Sequence, residues 1–318
     1  DSRGQTHLLQ VRPLAVTQKN TLPKETLETK LGEIHAKVSN WLEPKPFLLG
    51  SRTIFGIMPD WNPAEIIGIR PKPLALSLYR DLVTDSIWAY QRHNYGYRNL
   101  RSFPLMPHFF GLPYIDVRLS FNSFIPADLE GGLAGRLVDY YIARLLAEPT
   151  LHENVEFEIV LSCYTLDMQE RLATLTEAGF SNTECQSIAD SLRRLTNRIV
   201  HSSTGLWKAD AAKLDRLTSR RGELLKSKAD TLEQIYWLLE DTKRYGTLPF
   251  AGIARAAFIA VQMLKSLVSI GLFSQADYEA FMAGLTTVSS QLGHDRASLE
   301  KPEFLARYGH LRPGTYDI

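Results

Sequence analysis

The chain has 318 residues, 44% hydrophobic and 22% charged, an ordinary balance for a soluble globular protein able to bury a large core. Lysine plus arginine number 36 against 35 for aspartate plus glutamate, a formal net charge of +1, so no overall field recruits nucleic acid or a charged membrane surface, and neither partner is expected. Its two cysteines, Cys163 and Cys185, have neither metal-ligand spacing nor the density of a disulfide framework, which points to a reducing, cytoplasmic setting.

Gln5 to Leu14 alternates, with Leu9 and Val11 on one face, and meets Pro13, as a strand with a polar face would. A lone strand is not stable in water, so this one is expected to belong to a sheet begun outside the chain. Lys24 to Trp41 reads as a helix, and the proline-punctuated run from Pro44 to Pro73 as an ordered connector. Leu74, Leu78, Leu82, Val83 and Ile87 share one face of a helix running to about His93, followed by an aromatic and basic loop. Tyr114 to Ser120 and Val155 to Tyr164 are β-branched and alternating, which predicts two strands able to pair. Between them Leu129, Leu133, Leu137 and Tyr141 recur every four residues in a helix that Gly131, Gly132 and Gly135 each weaken by roughly 1 kcal/mol.

After Thr165 the pattern is helical to the end. Met168, Leu172 and Leu175 form a stripe, Gly179 fits a C-terminal cap, and Ser181 to Glu184 (SNTE) is a capping box that Ser274 to Asp277 (SQAD) repeats. Long helices are expected at about Lys208 to Tyr245, Phe250 to Ile270 and Gln275 to Leu292. The second carries an apolar stripe at positions 250, 253, 257, 261, 264 and 268. Because Arg255, Gln262 and Lys265 interrupt the most apolar stretch, Phe250 to Phe273, that stretch is expected to be a buried helix rather than a membrane span. The first residues lack the layout of a signal peptide, and the ending at Asp317 and Ile318 lacks a frayed polar tail, so truncation is expected at both ends. The fold class expected is mainly α (α+β), an irregular helical domain with a few short strands.

Gln10, Val11, Arg12 and Pro13, preceded by Gly4 and an apolar pair, resemble the last strand of the nucleotide-binding domain in enzymes of the phosphoenolpyruvate synthase and pyruvate phosphate dikinase type. The resemblance implies Gln10 on the metal side and Arg12 on the phosphate side of ATP. An amide oxygen suits a hard cation, and a guanidinium fork suits phosphate. Met58 to Tyr79 (MPDWNPAEIIGIRPKPLALSLY) resembles the opening of the acceptor-binding domain in rifampin phosphotransferase-like members, through Trp61, Asn62, Glu65, Pro73, Leu74 and Ser77 in order. Tyr95 to Pro104, Tyr245 to Arg255 and Tyr308 to Ile318 are similar to stretches of long members, so the likeness covers most of the chain.

The resemblance implies residues 1–23 as the C-terminal edge of an ATP-grasp domain, contributing a left-over strand, 24–57 as linker helix and connector, and 58–318 as a helical acceptor-binding domain. Family members use ATP and Mg and pass the phosphoryl group through a histidine in a Gly-Gly-x-x-Ser-His or Thr-Ser-His-like context. None of the eight histidines has that context. The chain alone is therefore expected to be inactive and to bind no cofactor. Its implied partners are a small phosphate acceptor and the ATP-grasp and phosphohistidine domains of the same polypeptide.

Arg98, Arg101, Arg118, Arg255, His310 and Arg312 would then converge, beside Trp61, Asn62 and Glu65, on a pocket for acceptor and phosphohistidine, with His310 or Asp317 taking the acceptor's proton. The plainer reading is that such arginines order loops by bonding carbonyls and stacking on tyrosines. Two further readings stand beside it. One is a roomy apolar acceptor cavity around Phe109, Phe110, Phe250 and Phe258; the other is a non-catalytic α-helical protein-interaction module. An enclosed basic pocket would favour the acceptor domain, and a flat apolar patch the module. No spacing meets a zinc pattern, so no structural metal is expected, and Cys163 reads as inert core.

Overall fold

Helix formers and prolines divide the chain as their chemistry requires, and a computed structural model describes residues 23–309 and Leu311 as mainly helical with a few short antiparallel strands. The expected strand at Gln5 to Leu14, with Gln10 and Arg12, lies outside the described residues, as do His310, Arg312 and Asp317. By contacts, residues 1–43 and 44–318 form separate units, so the connector after Pro44 groups with the later helices. The described part of the first is helix α1 (Lys24–Leu42), with an i,i+3 pair between Lys30 and Glu33 on its surface.

The second unit opens irregularly. Strand β1 (Phe55–Gly56) is followed by two short helices begun by prolines, α2 (Pro63–Ile67) and α3 (Pro73–Tyr79), where the missing N–H costs nothing at a first turn. The single helix expected from Leu74 to His93 is broken. A π-helical turn at Arg80–Thr84 follows α3, and α4 (Ile87–Tyr95) starts afresh at Ser86 and stops at Gly96, whose φ of 104° no other residue type adopts readily.

Strands β2 (His108–Phe109) and β3 (Leu112–Pro113) make a hairpin, and β4 (Ile115–Asp116) pairs antiparallel with β1. The strand expected over Tyr114 to Ser120 is therefore cut short. Asp116 accepts from Leu119 N at 3.1 Å and caps a helix, α5 (Val117–Asn122), every residue of which is buried. Its alternation misled because both polar residues, Arg118 and Ser120, lie inside.

The core then gathers around α5. Helix α6 (Gly131–Ala147) begins at Glu130, whose carboxylate accepts from Gly132 N and Leu133 N, and it buries Leu133, Leu137, Val138 and Tyr141. These pack with Phe121, Phe124, Ile188 and Leu192 from α5, the loop after it and α8 (Asn182–Val200). Helix α7 (Met168–Glu177) ends before Gly179, at φ 88°, and Ser181 and Glu184 form the capping box that starts α8.

The stretch expected as one helix from Lys208 to Tyr245 is two: α9 (Leu206–Lys226), a turn, and α10 (Thr231–Asp241). Through a second π-helical turn, Thr242–Thr247, α10 runs on into α11 (Leu248–Ser269). Three short helices close the described chain, α12 (Gln275–Ala283), α13 (Val288–Ser298) and α14 (Lys301–Tyr308), so the expected run from Gln275 to Leu292 is also interrupted.

Ser181→Ala removes the acceptor for Glu184 N at the head of α8. It is expected to lower stability by about 1 kcal/mol in a urea titration followed by circular dichroism.

Candidate functional site

The segment from Val155 to Leu166 decides the architecture around it. The sequence marks Val155 to Tyr164 as a strand, yet no strand pairs with it. Val155–Ile159 is a π-helical turn, and the extended run after it stays buried without a sheet. A buried backbone must still find partners, and side chains supply them. Leu161 N donates to the Tyr141 hydroxyl at 3.1 Å and Tyr164 N to Thr196 Oγ1 at 2.8 Å; the Ser162 carbonyl accepts from the Tyr97 hydroxyl at 2.7 Å. Burial pushes the Tyr97 phenol up to about 12 and the Cys163 thiol, in the same run, also up to about 12, so neither ionises at neutral pH.

Helix α11 provides the rest, from its polar face. Arg255 forms an ion pair with Glu156. Gln262 Nε2 donates to Ser162 Oγ at 3.1 Å, and Ser266 Oγ accepts from Leu166 N at 3.2 Å. Residues 255, 262 and 266 lie on one helical face and all three are buried. Gly252 lies on the same side, where an added Cβ would collide with the Asp210 carboxylate that Tyr95 holds at 2.7 Å.

The consequence for the opposite face is an inversion of the sequence reading. Of the apolar positions 250, 253, 257, 261, 264 and 268, none is buried: Phe250 and Ala257 are exposed and the others half-covered. Phe250 is 59% exposed and Phe258 40%, whereas Ile259, between Tyr95, Tyr97, Leu195 and Ile199, is fully buried. The stretch expected to be a buried helix is thus buried on its polar side and open on its apolar side. By length and composition alone, the continuous helix Thr231–Ser269 contains a stretch able to cross a bilayer.

Helix α10 continues the pattern. Its one buried residue is Asp241, held by Arg220 Nε at 2.8 Å, while Leu232, Ile235 and Tyr236 are exposed. Arg220, Leu224, Lys228, Glu233 and Trp237 line a groove of about 520 Å³ between α9 and α10. Leu232, Ile235 and Tyr236 of α10 and Phe250 of α11 are thus exposed apolar side chains on one continuous helical run.

A buried ionic layer lies beneath α11. Arg92 of α4 grips Asp60 with both Nη atoms at 2.7 Å, and Asp60 also accepts from Ser120 Oγ at 2.7 Å. The Arg92 guanidinium lies 4.5 Å from the centre of the Phe124 ring and that of Arg255 4.9 Å from it. Burial pulls Arg255 down to about 10, and the like charge of Arg92 adds to the effect; it remains charged at neutral pH.

The sequence-predicted site residues are dispersed by this arrangement. Arg255 and Arg118 are both buried, Arg118 beside Asp116 on α5. Arg98 is half-buried, donates to the Phe47 carbonyl at 3.3 Å, and is pulled down by burial. Arg101 bonds Asn99 and lies 4.8 Å from the Tyr90 ring centre at the surface. Asn62 caps α2 by accepting from Glu65 N at 3.3 Å. Trp61, at φ 43°, accepts from the Tyr79 hydroxyl through its carbonyl, and its ring centre lies 6.4 Å from that of Phe250. Asp60, beside Trp61 in the quoted motif, and Arg92 escaped the prediction; nothing in a single sequence marks two charges 32 positions apart as a buried pair.

Among the described residues, no three His, Cys, Asp or Glu side chains gather so as to hold a metal ion. The chain matches no family model, no curated protein and no solved structure.

Two substitutions test this geometry. Asp60→Ala strands the buried Arg92 charge and is expected to cost about 3–5 kcal/mol in urea denaturation, while Asp60→Leu combined with Arg92→Met recovers most of it. On α11, Ile259→Ala is expected to cost about 2–5 kcal/mol, whereas Ala257→Ser, on the exposed stripe, costs less than about 1 kcal/mol; equal costs would mean that the helix is turned the other way.

Proposed function

We propose that this chain is a non-catalytic α-helical protein-interaction module whose docking face is the outward stripe of α10 and α11. The observation that carries the reading is the orientation of α11, with Arg255, Gln262 and Ser266 turned inward and the apolar positions from 250 to 268 turned outward. A 22-residue helix offers a ridge about 33 Å long. Apolar positions spaced by three and four residues fit the side of another α-helix, so the occupant proposed is an amphipathic helix of a partner protein laid along α11.

The test is site-specific photocrosslinking in the protein's native cells from positions 236, 250 and 257, with exposed position 221 on α9 as control. The reading expects one identified protein from the three stripe positions and not from the control. That protein, purified, should bind the chain in calorimetry and lose affinity at least about tenfold to Phe250→Glu. Adducts only with lipid or with a second copy of the chain, or no adducts, would contradict it.

A second reading is that the chain is the acceptor-binding region of an ATP-dependent phosphotransferase acting through a phosphohistidine carrier, with ATP and Mg bound elsewhere in the parent enzyme. It is supported by the sequence resemblance and by the approach of Trp61 and Phe250, two separately named candidates, at one surface. It requires a phosphoenzyme in the intact parent and saturable acceptor binding lost on Trp61→Ala.

A further inference from the structure

A second site lies on the other side of the Val155–Leu166 segment. Between α6, the π-helical turn and α7 is a cleft of about 230 Å³ whose lining includes Tyr140, Arg144, Phe157, Asp167 and Arg171. Its charged groups are individually under-used. Arg144 makes one hydrogen bond, from Nη1 to the Ile159 carbonyl at 3.2 Å. Arg171 donates to Gln262 Oε1 at 3.2 Å, to Thr165 Oγ1 at 3.4 Å and to the Val160 carbonyl at 3.5 Å. A guanidinium has five N–H donors, and among the described residues no carboxylate stands within 4.0 Å of either one.

The carboxylate in the same cleft is equally unmatched. Asp167 occupies the capping position of α7, yet its side chain caps nothing, and its Oδ1 is buried without a hydrogen-bond partner among the described residues. A buried acceptor left unmade costs about 1–3 kcal/mol, more when charged, so this carboxylate, part of the cleft lining, carries an unmet demand for a donor. Cations wanting an acceptor and a carboxylate wanting a donor share one cavity without meeting each other.

We propose that this cleft binds a small zwitterion of the α-amino acid class, its carboxylate taken by Arg144 and Arg171 and its ammonium by Asp167. Two features narrow the class. Glu158, also in the lining, makes the formal charge of its four charged residues zero, which disfavours polyanions such as nucleotides; and the rings of Tyr140 and Phe157 suit an apolar side chain on the ligand. The volume admits an amino acid and is below the usual range for cofactor pockets.

The experiment is isothermal titration calorimetry of the intact chain with the common L-amino acids, their desamino carboxylic acids and inorganic phosphate, repeated on Arg144→Gln and Asp167→Asn. At least one amino acid with an apolar side chain is expected to bind, at least about tenfold more weakly to each variant. Its desamino counterpart should bind wild type more weakly and be unaffected by Asp167→Asn. Melting curves establish that the variants are folded; if Arg144→Gln is not, the near-isosteric Asp167→Asn decides alone. No amino-acid binding at millimolar concentration, binding indifferent to the variants, or binding of phosphate in preference to every amino acid overturns the proposal.

Discussion

The constraint on which the rest depends is the need to satisfy an extended, buried stretch of backbone that has no sheet to join. From Val155 to Leu166 the chain passes through a π-helical turn and then a mostly buried run, and hydroxyls, amides and guanidinium groups from four helices bond its backbone. Leaving such groups unpaired costs on the order of a hydrogen bond's desolvation each, so their partners cannot be exchanged for apolar side chains without loss. That requirement fixes which face of α11 points inward. Gln262 and Ser266 bond the segment's backbone there, Arg255 pairs with the Glu156 carboxylate, and the ionic layer of Arg92, Asp60 and Phe124 beneath them accommodates the charge.

Once the polar face is committed inward, the apolar face has nowhere to go but out. This links the interior to the proposed function more tightly than a roll of exposed residues would. Phe250 is exposed because its helix is anchored by the opposite side, Phe258 rests partly on the Phe157 ring, and α10, joined to α11 without a break, is uncovered in the same way as Phe250. The same segment also forms one wall of the cleft that holds Arg144, Arg171 and Asp167, so both proposed binding surfaces depend on one buried segment lacking a sheet.

Much of the helical content was legible, because it rests on local signals. The capping boxes at Ser181 and Ser274, the cap at Gly179 and the four-residue spacing from Leu133 to Tyr141 each act within a turn or two, and each is found in place. What was illegible depended on distant partners. Tyr114 to Ser120 alternates like a strand, but Asp116 caps a helix whose polar residues are buried. Val155 to Tyr164 has strand composition, but its first half winds into a π-helical turn and the run after it has no ladder. For α11 the stripe was read correctly and its direction was not, since apolar periodicity alone does not say which face meets the core.

The candidate site was less legible than the fold. Single arginines were picked out, but their acids were not, and Arg255 and Arg118 are engaged in the interior instead of lining the described cavities. Hydroxyl-radical footprinting with mass spectrometry, on the chain diluted until it is monomeric, tests the central claim most directly. With Phe47 as exposed reference and Phe121 as buried reference, the account predicts that Phe250, 59% exposed, is oxidised at a rate closer to that of Phe47 and that Phe258, 40% exposed, falls between the two references. Protection of both to the level of Phe121 in the isolated monomer would contradict it, because α11 would then have its apolar face against the core.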